Sequence, residues 1–326
     1  GGRLAVESPA GMAWNTQFRR LQPHIGDPMN VHDYLRAVLK SQTFAQDDEE
    51  MVDLRDRREK IKTLLQDHFS DSSLSVLWAG SKAKGTMIKA SYDGDVTCYF
   101  DHESDEDSGD TLEEIYNNVV SALETSYSVE RKTSAIRVRD LRDWSTDLHI
   151  DVVPGRFTDG DRSDVFLFQE GGEKSRLKTN LQKHIDHIRD SGVREAIRLG
   201  KYWRTQNGIS SAKTFVLELL IVKLLEGRVG DSLEDQLLHV FTEFRDNAEG
   251  LSVKDPANSN NDLTPILDQC RAHLSSVAGS TLWQIENNGW EAVFGEVEEE
   301  ASEAAKSAAL SAAVVRTNSR TRPWAR

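Results

Sequence analysis

Two aspartates, Asp93 and Asp95, stand one residue apart at the head of an apolar run over residues 96–100. In an extended chain, positions i and i+2 point to the same side, so both carboxylates face one way. A third, Asp151, opens the apolar end of another strand-like segment, Asp147-Leu-His-Ile-Asp-Val-Val-Pro154. Carboxylates on neighbouring strands repel and raise one another's pKa. Two divalent cations resolve that conflict, with Mg²⁺ the first choice and Mn²⁺ a substitute, and cations so held activate phosphoryl transfer. The segment ahead of the pair supplies the rest. Gly80-Ser81 follows a short apolar run at 74–79 and leads into Lys-Ala-Lys-Gly-Thr. The free N–H groups of a helix starting at Gly80 favour an anion. The Ser81 hydroxyl adds a hydrogen bond to a phosphate oxygen, Gly85 permits close backbone approach and Lys84 adds charge. A bare D-x-D is a weak signal. Its combination with the Gly-Ser turn and a distant Asp in an apolar strand is specific for a site holding metal and nucleoside triphosphate.

These residues need a sheet. The sequence predicts strands over 74–79, 96–100, 129–139 and 148–153, and a further one over 165–168. Asn30 caps a helix reaching Lys40. A charged helix over 46–69 carries an apolar stripe of Met51, Leu54, Ile61, Leu64 and Leu65, and another helix spans 111–125. From Ser175 to about Ala313 the pattern is helical, broken at 250–261. Residues 215–225 are nearly all apolar, with Glu218 and Lys223 as interruptions, which marks a buried helix. The acidic stretch 101–110 reads as a solvated loop, and the basic 316–326 as a flexible tail. The expected organisation is α+β: a core at 1–175 with its N-terminal helices, a helical lobe at 176–315 and the tail at 316–326. The cleft between sheet and helical lobe is the expected ligand site.

Composition narrows the partners. The 326 residues carry 40 Lys and Arg against 54 Asp and Glu, a formal charge of −14. That disfavours long duplex nucleic acid, which needs a basic face. No apolar run approaches the ~20 residues of a membrane span. The opening residues lack the pattern of a secretory leader, and Cys98 and Cys270 are the only cysteines. A cytoplasmic monomer, independent of membranes, is expected.

Other chemistry-bearing residues have plainer readings. His184 and His187 sit at i, i+3 on a helix with no third ligand nearby, and read as exposed helix histidines. His149, two residues before Asp151, alternates onto the same face as that aspartate. Cys98 is a small core residue rather than a nucleophile. Trp78, Trp203, Trp283 and Trp290 read as packing residues, and Tyr92 as an exposed neighbour of the site.

The pattern Gly-Ser-x-x-x-Gly-Thr-x6-Asp-x-Asp with a distant third Asp resembles the DNA polymerase β-like nucleotidyltransferase superfamily. Within it, Lys201-Tyr-Trp-Arg, Lys213-Thr-Phe-Val-Leu-Glu-Leu-Leu-Ile-Val-Lys-Leu-Leu225 and Asp255-Pro-Ala-Asn-Ser-Asn-Asn261 resemble the helical lobe of the bacterial cGAS/DncV-like nucleotidyltransferases, or CD-NTases. The likeness covers roughly residues 46–290. Many members have a proline where this chain has Ser259. The resemblance implies a polymerase β-like core of mixed sheet and helices joined to a helical lobe. It implies Lys201, Lys213 and Thr214 gripping a triphosphate from that lobe, with Gly80 and Ser81 opposite. The activity implied is template-independent synthesis of cyclic oligonucleotides from nucleoside triphosphates, ATP favoured, in anti-phage (CBASS) signalling, with a HORMA-like or other protein regulator. The alternatives are nucleotide transfer to an RNA end or a protein hydroxyl, and a non-catalytic nucleotide-binding scaffold.

Overall fold

The computed structural model describes residues 30–70, 72–103, 108–141, 148–171 and 174–297. The 316–326 tail, part of the acidic loop and the end of the expected helical run lie outside them. The described residues open with helices α1 (Val31–Ser41) and α2 (Glu49–His68), then strand β1 (Leu74–Ser75), a short α3 (Gly80–Lys84) and β2 (Gly94–Phe100). Helix α4 (Leu112–Glu124) leads into β3 (Tyr127–Arg131), β4 (Ile136–Asp140), β5 (Ile150–Phe157), β6 (Val165–Phe168) and β7 (Arg176–Thr179). Helices α5 (Leu181–Arg189), α6 (Arg194–Gln206), α7 (Thr214–Leu224) and α8 (Leu233–Asp246) follow. A hairpin of β8 (Lys254–Asp255) and β9 (Asn258–Asp262) precedes α9 (Thr264–Asp268), α10 (Arg271–Asn288) and α11 (Glu291–Phe294).

The sheet order is β1-β2-β5-β4-β3, with β6 pairing β5 and β7 pairing β6. β2 and β5 run parallel and the other pairs are antiparallel. Strand alternation sorts the two faces. Val96, Cys98, Phe100, Ile150 and Val152 point to one side, where Met51, Leu54, Ile61 and Leu65 of α2 and the apolar stripe of α4 cover them. Each such fully buried aliphatic side chain contributes on the order of 2 kcal/mol. Asp95, Tyr99, Asp151 and Val153 are thereby left on the opposite face. The core that buries one face of β2 and β5 therefore aims the aspartates. α4 starts where expected because Thr111 and Glu114 form a reciprocal capping box, which satisfies two otherwise orphaned N–H groups.

Several elements differ from the sequence reading. The 129–139 run is a hairpin rather than one strand. Lys132-Thr-Ser-Ala135 turns the chain, with Lys132 N–H donating to the Ala135 carbonyl at 2.9 Å; small polar residues favour such a turn. The 74–79 strand is regular only at Leu74–Ser75. Beyond it the Thr97 hydroxyl accepts from Leu77 N–H, and pairing resumes as a single Trp78–Val96 bridge. Residues 176–179, expected to be helical, form edge strand β7, so the sheet runs on to Thr179. Arg176 and Lys178, exposed on that edge, are the charges that protect an open strand from mispairing.

In the helical lobe α7 is the buried spine, with Val216–Ile221 all inaccessible. Trp203 packs on Phe241 and Phe244, and its indole N–H donates to the Thr281 hydroxyl at 2.8 Å. Trp290 is buried likewise. Trp283, expected to pack, is 60% exposed, because it lies on the outer face of α10. No helix among the described residues is long and apolar enough to cross a membrane.

Candidate functional site

A cleft of about 510 Å³ lies between the aspartate-bearing face of the sheet and helices α5–α7. Asp95 and Asp151 are register partners on parallel β2 and β5. Asp93 sits one residue ahead of β2, and its carboxylate is more open to solvent. The structure thus brings all three aspartates to one corner. His149 joins them, with Nε2 3.7 Å from Asp93 Oδ2 and 3.9 Å from Asp151 Oδ1. Burial, then the charges of Asp93 and Asp151, push the Asp95 carboxyl up to about 7, against the pull of Lys84 and Lys201.

Gly80 lies against this corner. It adopts φ +54°, and a Cβ there would fall 1.6 Å from Asp95 Oδ2. Only glycine lets the backbone approach the carboxylate so closely. Ser81 follows it in the cleft wall. Gly85, at φ +72°, ends α3 in the left-handed conformation.

Two charged groups were not foreseen. The first is Arg137 on β4, whose Nε and Nη2 donate to Asp151 Oδ1 and Oδ2, both at 2.9 Å. Among the described residues no three His, Cys, Asp or Glu side chains are arranged as a metal-ligand set, and Asp151 is instead held by this arginine. The second is Glu218 of α7, with no solvent exposure. It pairs with Lys84, accepts from the Thr86 hydroxyl at 2.6 Å and lies 3.5 Å from Lys201 Nζ. Burial alone would raise its carboxyl, but Lys84 and Lys201 hold it below the ordinary range. Burial in turn pulls the Lys201 ammonium down, opposed by Glu218. Lys201 also donates to the Thr86 carbonyl at 2.7 Å. The available signal for Glu218 was a lone acid inside an apolar helix, which must find a cation.

The remaining candidates divide. Gly80, Ser81, Lys201 and Thr214 line the cleft; Lys213 caps α7 with its side chain exposed outside the lining. His187 is exposed as expected, but His184 is half-buried in the cleft, with Nε2 2.7 Å from Asp255 Oδ1. Tyr92 packs edge-on against Phe44 at 4.9 Å and leans on the core instead of facing the site. Cys98 is fully buried, and burial pushes its thiol far up, consistent with a packing role.

No protein-family model matches the chain. A curated relative, the cyclic AMP-AMP-AMP synthase of Escherichia coli (strain MS 115-1), is 25% identical over 213 residues, 59% of this chain and 64% of that protein. The match thus spans less than two thirds of the relative's length. Among solved structures, CdnC of E. coli MS115-1 with ATP aligns at a TM-score of 0.60 and 20% identity, over 82% of this chain and 98% of that one. CdnG of Bradyrhizobium diazoefficiens, a CD-NTase in complex with GTP, aligns at 0.63 and 13% identity, over 87% and 98%. The chain shares its fold with these proteins, among them the CD-NTase CdnG. The structural likenesses carry the polymerase β-like fold: a mixed sheet, a helical lobe and the cleft between them. The cleft is of the size that holds a small ligand. CdnC has also been solved with a HORMA protein, and that complex aligns at 0.58 and 21% identity, over 82% of this chain and 98% of that one.

Proposed function

We propose that this chain is a template-independent nucleotidyltransferase that makes cyclic oligonucleotides from nucleoside triphosphates, with ATP favoured. The observation that carries this reading is the in-register pair Asp95–Asp151, with Gly80 pressed on Asp95 at the cleft wall. Asp93, Asp95 and Asp151 are assigned as the catalytic and metal-holding carboxylates. The donor set is hard carboxylate oxygen, which suits Mg²⁺ over softer ions. The crowding that pushes Asp95 up to about 7 is what a divalent cation relieves. Bound Mg²⁺ supplies charge neutralisation and activates a ribose hydroxyl.

The remaining roles fall to the chain itself. Gly80 and Ser81 take the triphosphate on the sheet side; Thr214, Lys201 and Lys213 take it from the helical lobe. Lys201 reaches the cleft already charge-paired, so its role is a fixed one rather than a searching one. Lys213 is exposed, so its contact with phosphate comes from outside the cleft wall. A ribose hydroxyl attacks the α-phosphorus of a second nucleotide; the bond to the β-phosphate oxygen breaks, and pyrophosphate leaves. A second transfer within the linear product closes the ring.

The name of the curated relative supports ring synthesis, and the CdnC–HORMA complex supports a HORMA-like protein regulator; a role in anti-phage signalling belongs to the same proposal. The test is incubation with Mg²⁺ and mixed triphosphates, then phosphatase and mass spectrometry. A phosphatase-resistant product is expected, since a ring has no terminal phosphate. A linear, phosphatase-sensitive product would point to tailing chemistry, and no pyrophosphate release to a dead scaffold.

A further inference from the structure

The cleft holds a second polar group that these roles leave unused. Lys84 Nζ lies 5.1 Å from the Phe215 ring centroid, and the His184 ring packs on Phe215 at 4.9 Å. His184 Nε2 meets Asp255 Oδ1, and Asn261 Nδ2 donates to Asp255 Oδ2 at 2.9 Å. All five residues line the cleft. They form a line leading away from the charged end toward Asn261, with Leu181, Ile185 and Leu263 beside it. Apolar walls with a few fixed polar atoms are the chemistry of a nucleobase subsite.

Asp255 determines how Asn261 is turned. Its Oδ1 also accepts from Ala257 N–H at 2.8 Å. Burial would raise this carboxyl, but the hydrogen bonds from His184 and Asn261 bring it below the ordinary range. An ionised carboxylate only accepts hydrogen bonds. Asn261 must therefore present its NH₂ to Asp255, and its amide cannot flip. One N–H and the carbonyl Oδ1 remain for a ligand; among the described residues Oδ1 has no hydrogen bond. The hairpin bearing Asn261 is itself anchored, since Asn258 Nδ2 donates to the Lys178 carbonyl of β7 at 3.0 Å.

We propose that Asn261 reads the nucleobase, and that its Asp255-locked amide selects adenine over guanine. The inference rests on the nucleotidyltransferase reading above. Adenine presents an N6 amino donor beside a ring-nitrogen acceptor, which matches an amide offering one acceptor and one donor. Guanine puts the O6 acceptor where N6 would be, opposite Oδ1. A freely turning amide would rotate to donate its NH₂ to guanine's O6 and accept from N1–H with its carbonyl; this one is prevented by Asp255.

The test is calorimetric binding of non-hydrolysable ATP and GTP analogues to the full chain with Mg²⁺. Wild type should bind the ATP analogue about tenfold tighter or more, the discrimination of one good bidentate contact. Asn261→Ala should lose that preference by weakening ATP while leaving GTP unchanged. Asp255→Asn should gain GTP affinity, because residue 261 is then free to turn. Should Asp255→Asn fail to fold, Asn261→Ala and Asn261→Ser, at a partly exposed position, carry the test. A folded Asn261→Ala with the wild-type ATP-to-GTP ratio overturns the base-reading role and leaves the enzyme assignment standing. A wild type that binds both analogues equally does the same. A wild type that binds neither overturns both.

Discussion

Arg137 and Asp151 meet from register-matched positions on β4 and β5 through two hydrogen bonds of 2.9 Å. Asp95 is the partner of Asp151 on the other side. Asp95, Asp151 and Arg137 thus form a row across three adjacent strands, with the cation at the end away from the cleft. Arg137 is the internal counter-charge to Asp151 beside the other two aspartates. Removing it leaves a partly buried carboxylate uncompensated. Arg137→Ala should cost about 1–3 kcal/mol in metal-free protein, and Mg²⁺ should restore more of that loss than it adds to wild type. Urea denaturation with EDTA and with Mg²⁺ measures both. Equal Mg²⁺ increments in the two proteins would refute the counter-charge role.

Asp95 makes metal-free stability depend on pH. Its folded pKa, about 7, lies above the usual carboxylate value. Between those values the folded state binds the extra proton and the unfolded state does not. This group's contribution is therefore fully present below the unfolded pKa and is lost as pH rises through 7. EDTA-treated wild type should melt at a higher temperature near pH 5 than near pH 8, as far as this carboxyl is concerned. Asp95→Asn should flatten that slope and abolish turnover. Identical slopes in the two proteins would show that Asp95 is not the titrating group.

The Lys84–Glu218–Lys201 cluster ties α3 to the helical lobe in a largely buried setting at the cleft wall. Deleting one partner of a buried ion pair costs about 3–5 kcal/mol, because the other charge is left stranded. Glu218→Ala should lose that much in a denaturation experiment. Replacing Lys84 and Glu218 together by Met and Leu should recover most of it, while triphosphate binding stays weak. Full recovery of binding in the double variant would mean that the cluster is structural only.

What was legible in the sequence follows from how local each signal is. The Gly80-Ser81 turn, Asp93, Asp95 and the apolar alternation of 96–100 are read within a few residues, and the structure places them together. The α4 cap at Thr111 was legible for the same reason. Arg137 was not, because its meaning depends on β4 lying beside β5 in one register, a long-range pairing. His184 looked like a surface histidine because its partner, Asp255, is far away along the chain. β7 was missed because a four-residue charged edge strand has no apolar alternation to read.

The close approach of Gly80 to Asp95 gives the sharpest local test. In Gly80→Ala the new Cβ would lie 1.6 Å from Asp95 Oδ2 and 2.5 Å from Cγ, so the carboxylate must move. Asp95 has little room, since it is hemmed by Asp151 across the strand pair. The left-handed backbone adds about 1–2 kcal/mol for any non-glycine residue. Displacing a reacting group by ~1 Å costs on the order of 10²-fold in rate. Gly85→Ala is the control. It has the same backbone strain at φ +72°, but its Cβ meets only the end of the Arg194 side chain, at 2.9 Å, which can swing aside. Both variants should lose stability in thermal melts, Gly80→Ala more because of its clash, while turnover of Gly80→Ala falls about a hundredfold and Gly85→Ala stays within a fewfold of wild type. Near-normal turnover in Gly80→Ala would mean that the position of the Asp95 carboxylate does not limit the chemistry.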